Sequence, residues 1–349
     1  MSEQNIADLI FQGRRCLERG DFHGAIARFE QAVYFARAGG ESENELIALG
    51  WLPSAWGSVA DHFKEIESAT RLLARARELR REDYEMIATQ RLAEAMADLD
   101  LRGRWRELKP LLLQGLETSR RLGKLWYEIY HLMLLGTYAV RVGEGEQGHV
   151  WLKEALNKLR PDIERSTVPK CLFRLNIYGA LSTLMRQRGD LEEALRYAEQ
   201  TVGVAQRDNN PAFVADAELM LVRAHIARRE YDEAYRLLHD VLPRARLHNW
   251  RGVEQEAEYL LGEVEREAGE PDGAEVAARR GLMLAQEMKL REQEVQSLLS
   301  LGQALLAMHQ HGEARELITQ ARRLAQERDY EDYFQQAEGV LRTMEAEMV

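Results

Sequence analysis

Four short stretches decide the fold: GDLEEALRY (residues 189–197), REYDEAYRL (229–237), EPDGAEVAA (270–278) and QHGEARELI (310–318). Each holds a turn followed by the opening of a helical stripe, and an alanine recurs in it at Ala194, Ala234, Ala274 and Ala314, 40 residues apart each time. A fixed period of this length is the mark of a repeat array, in which one supersecondary unit stacks on copies of itself. Weaker copies lie upstream: GEGEQGHVWL around Gly148, GRWRELKPLL around Leu108, KEIESATRLL around Ala69 and GDFHGAIARF around Ala25. Their intervals, counted back from Ala194, are 46, 40, 39 and 44, so the register loosens toward the N-terminus.

Within a unit, Leu298, Leu301 and Leu305 recur at helical spacing, and a second stripe follows a turn at Leu317, Ile318 and Ala321. Such a hairpin cannot bury its apolar face alone, and stacking on neighbours makes the core continuous. Gly136, Gly262, Gly302 and Ser182 fall at matching places in the first helices, where two helices must approach closely. Glycine inside a helix costs about 1 kcal/mol against alanine, so its recurrence implies a compensating contact. Asp190 with Glu193 resembles a capping box, and Pro211 after Asn210 suits a first helical turn. The segment RPDIERSTVPK (160–170) and the pair Gly39-Gly40 predict extended loops between repeats. Pro53 falls in an expected first helix, which should begin only at Ser54 or kink at the proline.

The composition agrees: 45% hydrophobic and 30% charged residues with only 7 prolines in 349 favour long amphipathic helices. A net charge of −11 argues against a general polyanion binder, since nucleic-acid affinity rests on Lys and Arg displacing phosphate counterions. Cys16 and Cys171 sit in helix-like runs and read as small hydrophobes, not as a disulfide. The N-terminus lacks the pattern of a secretion signal and no long uncharged apolar stretch occurs, so a cytoplasmic, soluble protein is expected.

These residues make the sequence similar to the tetratricopeptide repeat superfamily, which places a small residue in its first helix, a Gly-Asp-like turn, an alanine opening its second helix and a small residue seven further on. Gly13, Gly20-Asp21, Ala25 and Ala32 fit that pattern, as do Gly302, Ala314 and Ala321. The standard unit has about 34 residues. Units near forty resemble the longer variety in MalT-like sensor domains and in kinesin light chain. The resemblance implies an all-α, right-handed α-solenoid of about eight hairpins plus a capping helix, forming a single domain. The expected repeats are roughly 6–40, 50–86, 89–125, 129–165, 170–210, 211–249, 250–290 and 291–329, with a cap over 330–349 and an unsettled frame in 41–125. With helices from about residue 5 to the end, no room is left for a DNA-binding, nucleotide-binding or protease module.

Catalytic motifs are missing from the sequence, and no cofactor, metal site or enzymatic activity is expected. GEGEQG (143–148) matches a dinucleotide-binding expression, but that fingerprint needs a preceding strand, and two glutamates inside it would repel phosphate; it reads as a turn. His309 and His311 read as solvated turn residues.

The resemblance also implies where a partner binds. In the superfamily the first helices line a concave groove, and the frame transfers that lining to Trp51, His62, Tyr130, Thr137, Arg141, Asn176, Thr183, Arg186, Arg223, Tyr259 and Arg266. Arg141, Arg186, Arg223 and Arg266 would form a basic stripe for an acidic or carboxylate-presenting protein or peptide, with Tyr130 and Tyr259 as amphipathic anchors. The bland alternative is that these arginines pair with neighbours such as Glu263 and Glu267. The expected function is a non-enzymatic scaffold or adaptor that binds neither nucleic acid nor membrane. Two rivals are a MalT-like sensor of a small ligand or signal peptide, and a structural protein whose array ends assemble with copies of themselves.

Overall fold

The computed structural model describes residues 3–59, 61–159, 170–208 and 210–346, and the chain divides into two compact units, Met1–Asp162 and Ile163–Val349. The expected loop over 160–169 lies outside the described residues. Among the described residues every regular element is a helix. The first unit holds α1 (Glu3–Glu18), α2 (Phe22–Gly39), α3 (Ser42–Ser58), α4 (His62–Glu78), α5 (Glu82–Arg121), α6 (Leu125–Arg141) and α7 (Gly145–Lys158). The second holds α8 (Lys170–Arg188), α9 (Leu191–Asp208), α10 (Pro211–Ala227), α11 (Tyr231–Leu247), α12 (Arg251–Ala268), α13 (Pro271–Glu287), α14 (Arg291–Ala307), α15 (His311–Glu327) and α16 (Glu331–Ala346).

The α5 segment of 40 residues is not one straight rod. Arg121 Nη1 donates to Glu82 Oε1 at 2.5 Å, although a straight helix would hold these ends about 58 Å apart at 1.5 Å per residue. The segment therefore doubles back, and its halves serve as the two helices of a hairpin. The side chains of 98–103 lie outside the described residues.

The close approaches expected of small residues are present. A Cβ on Gly136 would lie 2.5 Å from Leu152 Cγ, one on Gly302 2.5 Å from Ile318 Cγ1, and Ser182 Oγ donates to the Ala194 carbonyl at 2.8 Å. Gly262 is looser, its nearest neighbour being the Ala274 carbonyl oxygen at 3.4 Å. The stripe Leu298, Leu301 and Leu305 is buried against Ile318, Ala321 and Ala325, and α16 closes this core with Ala337, Leu341 and Met344. Each such leucine contributes roughly 1.5–3 kcal/mol by leaving water. The other side of α16 presents Gln335, Gln336, Arg342 and Thr343 to solvent.

Helices turn into one another through a left-handed residue whose successor's amide bonds back into the preceding helix, as in Arg81 N to Ala76 O at 2.8 Å and Gln310 N to Leu305 O at 2.9 Å. Glycine supplies that conformation at Gly20 and Gly143, but Arg80, Arg229, Asn249, Lys289, His309 and Asp329 adopt it with a side chain attached. Asp190 Oδ1 accepts the Glu193 amide at 3.3 Å, and Asn210 Oδ1 accepts the Ala212 amide at 3.0 Å ahead of α10, with Pro211 at its first position.

Two local expectations are corrected. Gly39-Gly40 does not open a long loop: Gly40 takes φ 75°, Glu41 N bonds to Ala36 O, and α3 starts at once at Ser42. Helix α3 then runs through Pro53, which is buried in it, so the helix does not wait for Ser54 to start. Only the hydrogen bond that residue 53 would donate to the Leu49 carbonyl is lost, and packing outweighs it.

One recurring feature is not apparent from the sequence pattern. The fourth residue of several first helices is a buried glutamate, Glu45, Glu128, Glu254 and Glu294, bonded by a residue eight positions earlier on the preceding second helix. Glu45 is fully buried and takes Arg37 Nε at 2.9 Å and Arg75 Nε at 2.8 Å. Glu128 takes Arg120 Nε at 3.0 Å and Lys158 Nζ at 3.1 Å. Each carboxylate sits in the first turn of its helix, where unpaired backbone amides favour negative charge, and it ties consecutive hairpins together. No helix of the described residues is long and apolar enough to cross a membrane.

Candidate functional site

Consecutive first helices pack on one another: α1 on α3 and α3 on α5 in the first unit, α8 on α10, α10 on α12, α12 on α14 and α14 on α16 in the second. The second helices are spread further apart and joined by long ion pairs, such as Arg71 to Glu30 at 2.7 Å and Arg279 to Glu313 at 2.7 Å. Within each unit the first helices therefore form the inner wall.

In the first unit most of that wall is committed to internal contacts. Trp51 on α3 stacks on Phe29 at 6.4 Å between ring centres, and Arg14 covers it with its guanidinium 5.1 Å from the ring. Tyr130 on α6 donates its hydroxyl to Glu94, and burial together with that carboxylate pushes the phenol well above its ordinary range. Thr137 is half-buried, its Oγ1 without a partner among the described residues, and Arg141 ends α6 exposed. His62 does not belong to the wall. It opens α4, a second helix, and sits 3.1 Å from Glu65; the hairpin begins earlier than the frame supposed, because Gly40 makes a tight turn.

The second unit brings its named residues together. Asn176, Thr183 and Arg186 lie along α8, Arg223 on α10, and Tyr259 and Arg266 on α12. Asn176 Nδ2 donates to the Leu172 carbonyl at 2.8 Å and Thr183 Oγ1 to Gly179 at 3.1 Å, both local bonds along the helix. Arg223 Nε donates to Glu256 Oε1 at 2.9 Å, and its guanidinium lies 5.9 Å from the Tyr259 ring. Burial works against the Arg223 charge, but Glu256 and Tyr259 more than offset it and hold the group ionised. Arg266 pairs with Glu267 at 2.7 Å. Two of the arginines expected in a basic stripe thus already have a carboxylate partner, Arg266 with Glu267 as the bland alternative expects. A carboxylate within reach satisfies a guanidinium whether or not a ligand is present.

Arg186 differs. It is half-buried and makes no hydrogen bond or ion pair among the described residues. Burial lowers its affinity for the proton, the Arg223 charge lowers it further, and the Glu263 charge only partly compensates. Glu263 is itself pushed up by burial, against the pull of Arg223, Arg266 and Arg186. The wall here holds charge in place without closing it into contact pairs, an arrangement that a carboxylate reaching Arg186 would complete.

The sequence analysis also missed Asp216, two helical turns before Arg223 on the same face of α10. Crowding by the surrounding side chains, followed by the Glu256 charge, pushes its carboxyl up to about 6 although it still meets solvent. The sequence signal was the seven-residue spacing to Arg223, obscured because acidic residues were all assigned to solvated faces.

The remaining candidates are structural. Glu144, inside the GEGEQG string, accepts Trp105 Nε1 at 2.8 Å and Lys109 Nζ at 2.5 Å; only Gly143 and Glu144 form the expected turn, anchored to α5, and Gly145 to Gly148 are the first turn of α7. Gly143 takes φ 90° there. The His309 and His311 rings stand 6.1 Å apart, and no group of three or more His, Cys, Asp or Glu among the described residues could hold a metal ion.

No family model matches the chain, and no curated protein matches it. Solved structures do. The apo form of the quorum sensor NprR from B. thuringiensis aligns with TM-score 0.68 at 12% identity, over 91% of this chain and 87% of that one. The Rap conjugation gene regulator of the plasmid pLS20, solved in complex with the Phr* peptide, aligns with TM-score 0.66 at 10% identity, over 93% and 96%. A tetratricopeptide repeat protein from Parabacteroides merdae aligns with TM-score 0.56 at 13% identity, over 84% and 99%. The chain has the helical-repeat fold of tetratricopeptide-type proteins.

Proposed function

We propose that this protein is a non-enzymatic, soluble, cytoplasmic adaptor that holds a peptide, or an extended segment of a protein, against the first-helix wall of its second unit. The observation that carries the reading is Arg186, a half-buried guanidinium without a carboxylate contact among the described residues, while Arg223 and Arg266 have theirs. A partner carboxylate supplies the missing charge, and Tyr259 offers a flat amphipathic surface next to it. Such a wall suits an extended chain, whose backbone and alternate side chains can follow successive first helices. The solved regulator that carries a Phr* peptide in a similar fold supports a peptide as occupant.

The experiment is affinity capture with the immobilised chain beside Arg186→Glu, with mass spectrometry of what each retains. The expected result is a partner held by the wild type and lost from the variant. Equal retention by both proteins sinks the assignment of the groove.

A sensor reading adds a conformational consequence to the same occupancy, and its support is that a similar fold serves the quorum sensor NprR. Small-angle scattering separates the two: a sensor contracts when its peptide is added, and a plain adaptor keeps its dimensions.

A further inference from the structure

A cavity of about 140 Å³ opens between α8 and α10, lined by Leu172, Leu175, Phe213, Ala217 and Met220, with Asn176 and Asp216 at its polar edge. Its walls are well formed: Leu175 and Ala217 are buried, and Met220 folds over Gly179, where a Cβ would lie 2.5 Å from its Sδ. A cavity near 150 Å³ with apolar walls holds a benzene-sized group, so one aliphatic side chain fits.

The cavity lies at one end of a polarised wall. Asp216 and Arg223 are separated by seven residues of α10, about 10 Å along one face. Asn176 and Arg186 are separated by ten residues of α8, about 15 Å. The early turns of these helices carry the acid and the later turns the arginines. Glu256, reaching in from α12, pairs with Arg223 and adds negative charge on the Asp216 side.

Resting on the peptide-binding reading, we infer that the groove selects a peptide of fixed polarity: a cationic group at Asp216, an aliphatic side chain in the cavity beside it, and a carboxylate at Arg186. An extended chain advances about 3.3 Å per residue, so the cation and the carboxylate stand three to five residues apart. The Asp216 carboxylate at the exposed edge of the cavity attracts a cation, and the Glu256 charge adds to it, as Arg186 attracts an anion. Each end of the peptide thus compensates a charge that the wall leaves unmatched, and reversal of the sequence sets like charges against each other at both ends.

The test is selection of the full chain against a random hexapeptide library, repeated with Asp216→Asn and with Arg186→Gln, both changes being at solvent-accessible positions. The wild type should enrich peptides with Lys, Arg or a free α-amino group three to five residues from Asp, Glu or a free carboxylate, with Leu, Ile, Val or Met next to the cation. Asp216→Asn should erase the preference for the cation while keeping that for the carboxylate, and Arg186→Gln should do the converse. The resynthesised best peptide should bind each variant about tenfold more weakly. Enriched peptides without this spacing, or a cation preference that survives Asp216→Asn, overturn the inference and leave peptide binding standing. If no peptide is enriched, peptide binding in the groove falls, and the inference falls with it.

Discussion

The two units are built from the same hairpin, but they spend their polar side chains differently. In the first, Trp51 is enclosed by Phe29 and Arg14, Tyr130 is bonded to Glu94, and His131 is wholly buried with Nδ1 2.7 Å from the Tyr127 carbonyl. In the second, the half-buried Arg186 and the exposed Asp216 have no ion-pair partner among the described residues. The first wall keeps single unpartnered atoms, Thr137 Oγ1 and His131 Nε2, among the described residues, whereas at Arg186 the second wall leaves a whole charge without a contact partner. The difference arises from individual neighbours, since the backbone architecture of the two walls is alike.

The largest test of this contrast uses acid. Burial depresses the His131 imidazole to about 4, against 6.5 for an ordinary histidine. Between these values the unfolded chain carries the proton and the folded unit does not. Stability is complete above about pH 6.5 and falls as pH drops toward 4, by up to about 3 kcal/mol. Amide exchange measured from pH 7 to 4.5 should show α5 to α7 losing protection before α12 to α14. Parallel loss in both units would remove the imidazole as the cause.

A matched pair of alanine substitutions comes next. Gly136→Ala drives a Cβ to 2.5 Å from Leu152 Cγ and 3.1 Å from the Gly148 carbonyl oxygen, and should cost about 2 kcal/mol in urea denaturation. Gly262→Ala meets nothing closer than 3.4 Å, and should stabilise its unit by up to about 1 kcal/mol through helix propensity. Equal signs would show that the tight approach in the first unit is not rigid.

Glu45→Gln should cost about 2 kcal/mol, because Glu45 is fully buried and Arg75, only 17% exposed, loses one of its two carboxylate partners and keeps Glu78. Glu254→Gln in the second unit should cost less, since Arg246 and Arg280 are 54% and 44% exposed and water can replace the carboxylate. Smallest of all, His309→Gly removes a side chain from a left-handed turn at φ 59°. It should raise the urea midpoint by the equivalent of about 0.5 kcal/mol.

Much of this fold is legible in the sequence where one signal is strong and local. The constant interval from Ala194 to Ala314, the stripe Leu298-Leu301-Leu305 and the small residues Gly136 and Gly302 all report contacts within one hairpin, and the structure places them as the pattern requires. Legibility fails where a choice depends on a neighbour distant in sequence. Pro53 was read by its intrinsic preference, and packing overrode it. His62 was assigned to the inner wall because the tight turn at Gly40 shifted the true hairpin. Arg223 shows this, since its partner Glu256 lies 33 residues away on α12, whereas the partner of Arg266 is Glu267, its neighbour in the sequence and legible there. Asp216 looks ordinary in sequence because the Glu256 charge acting on it comes from α12, 40 residues further on.

The buried glutamate that joins consecutive hairpins has a consequence during synthesis. Glu45 is made shortly after Arg37, but its second partner, Arg75, is 30 residues further on. At 5–20 residues per second a ribosome takes about 2 to 6 seconds to supply it. Until then α3 carries an acid whose final burial is incompletely compensated, and the first hairpin cannot settle fully against the second. The same interval returns as the later hairpins emerge, so the nascent chain closes one repeat behind the point of translation, with its newest apolar stripe briefly open to chaperones.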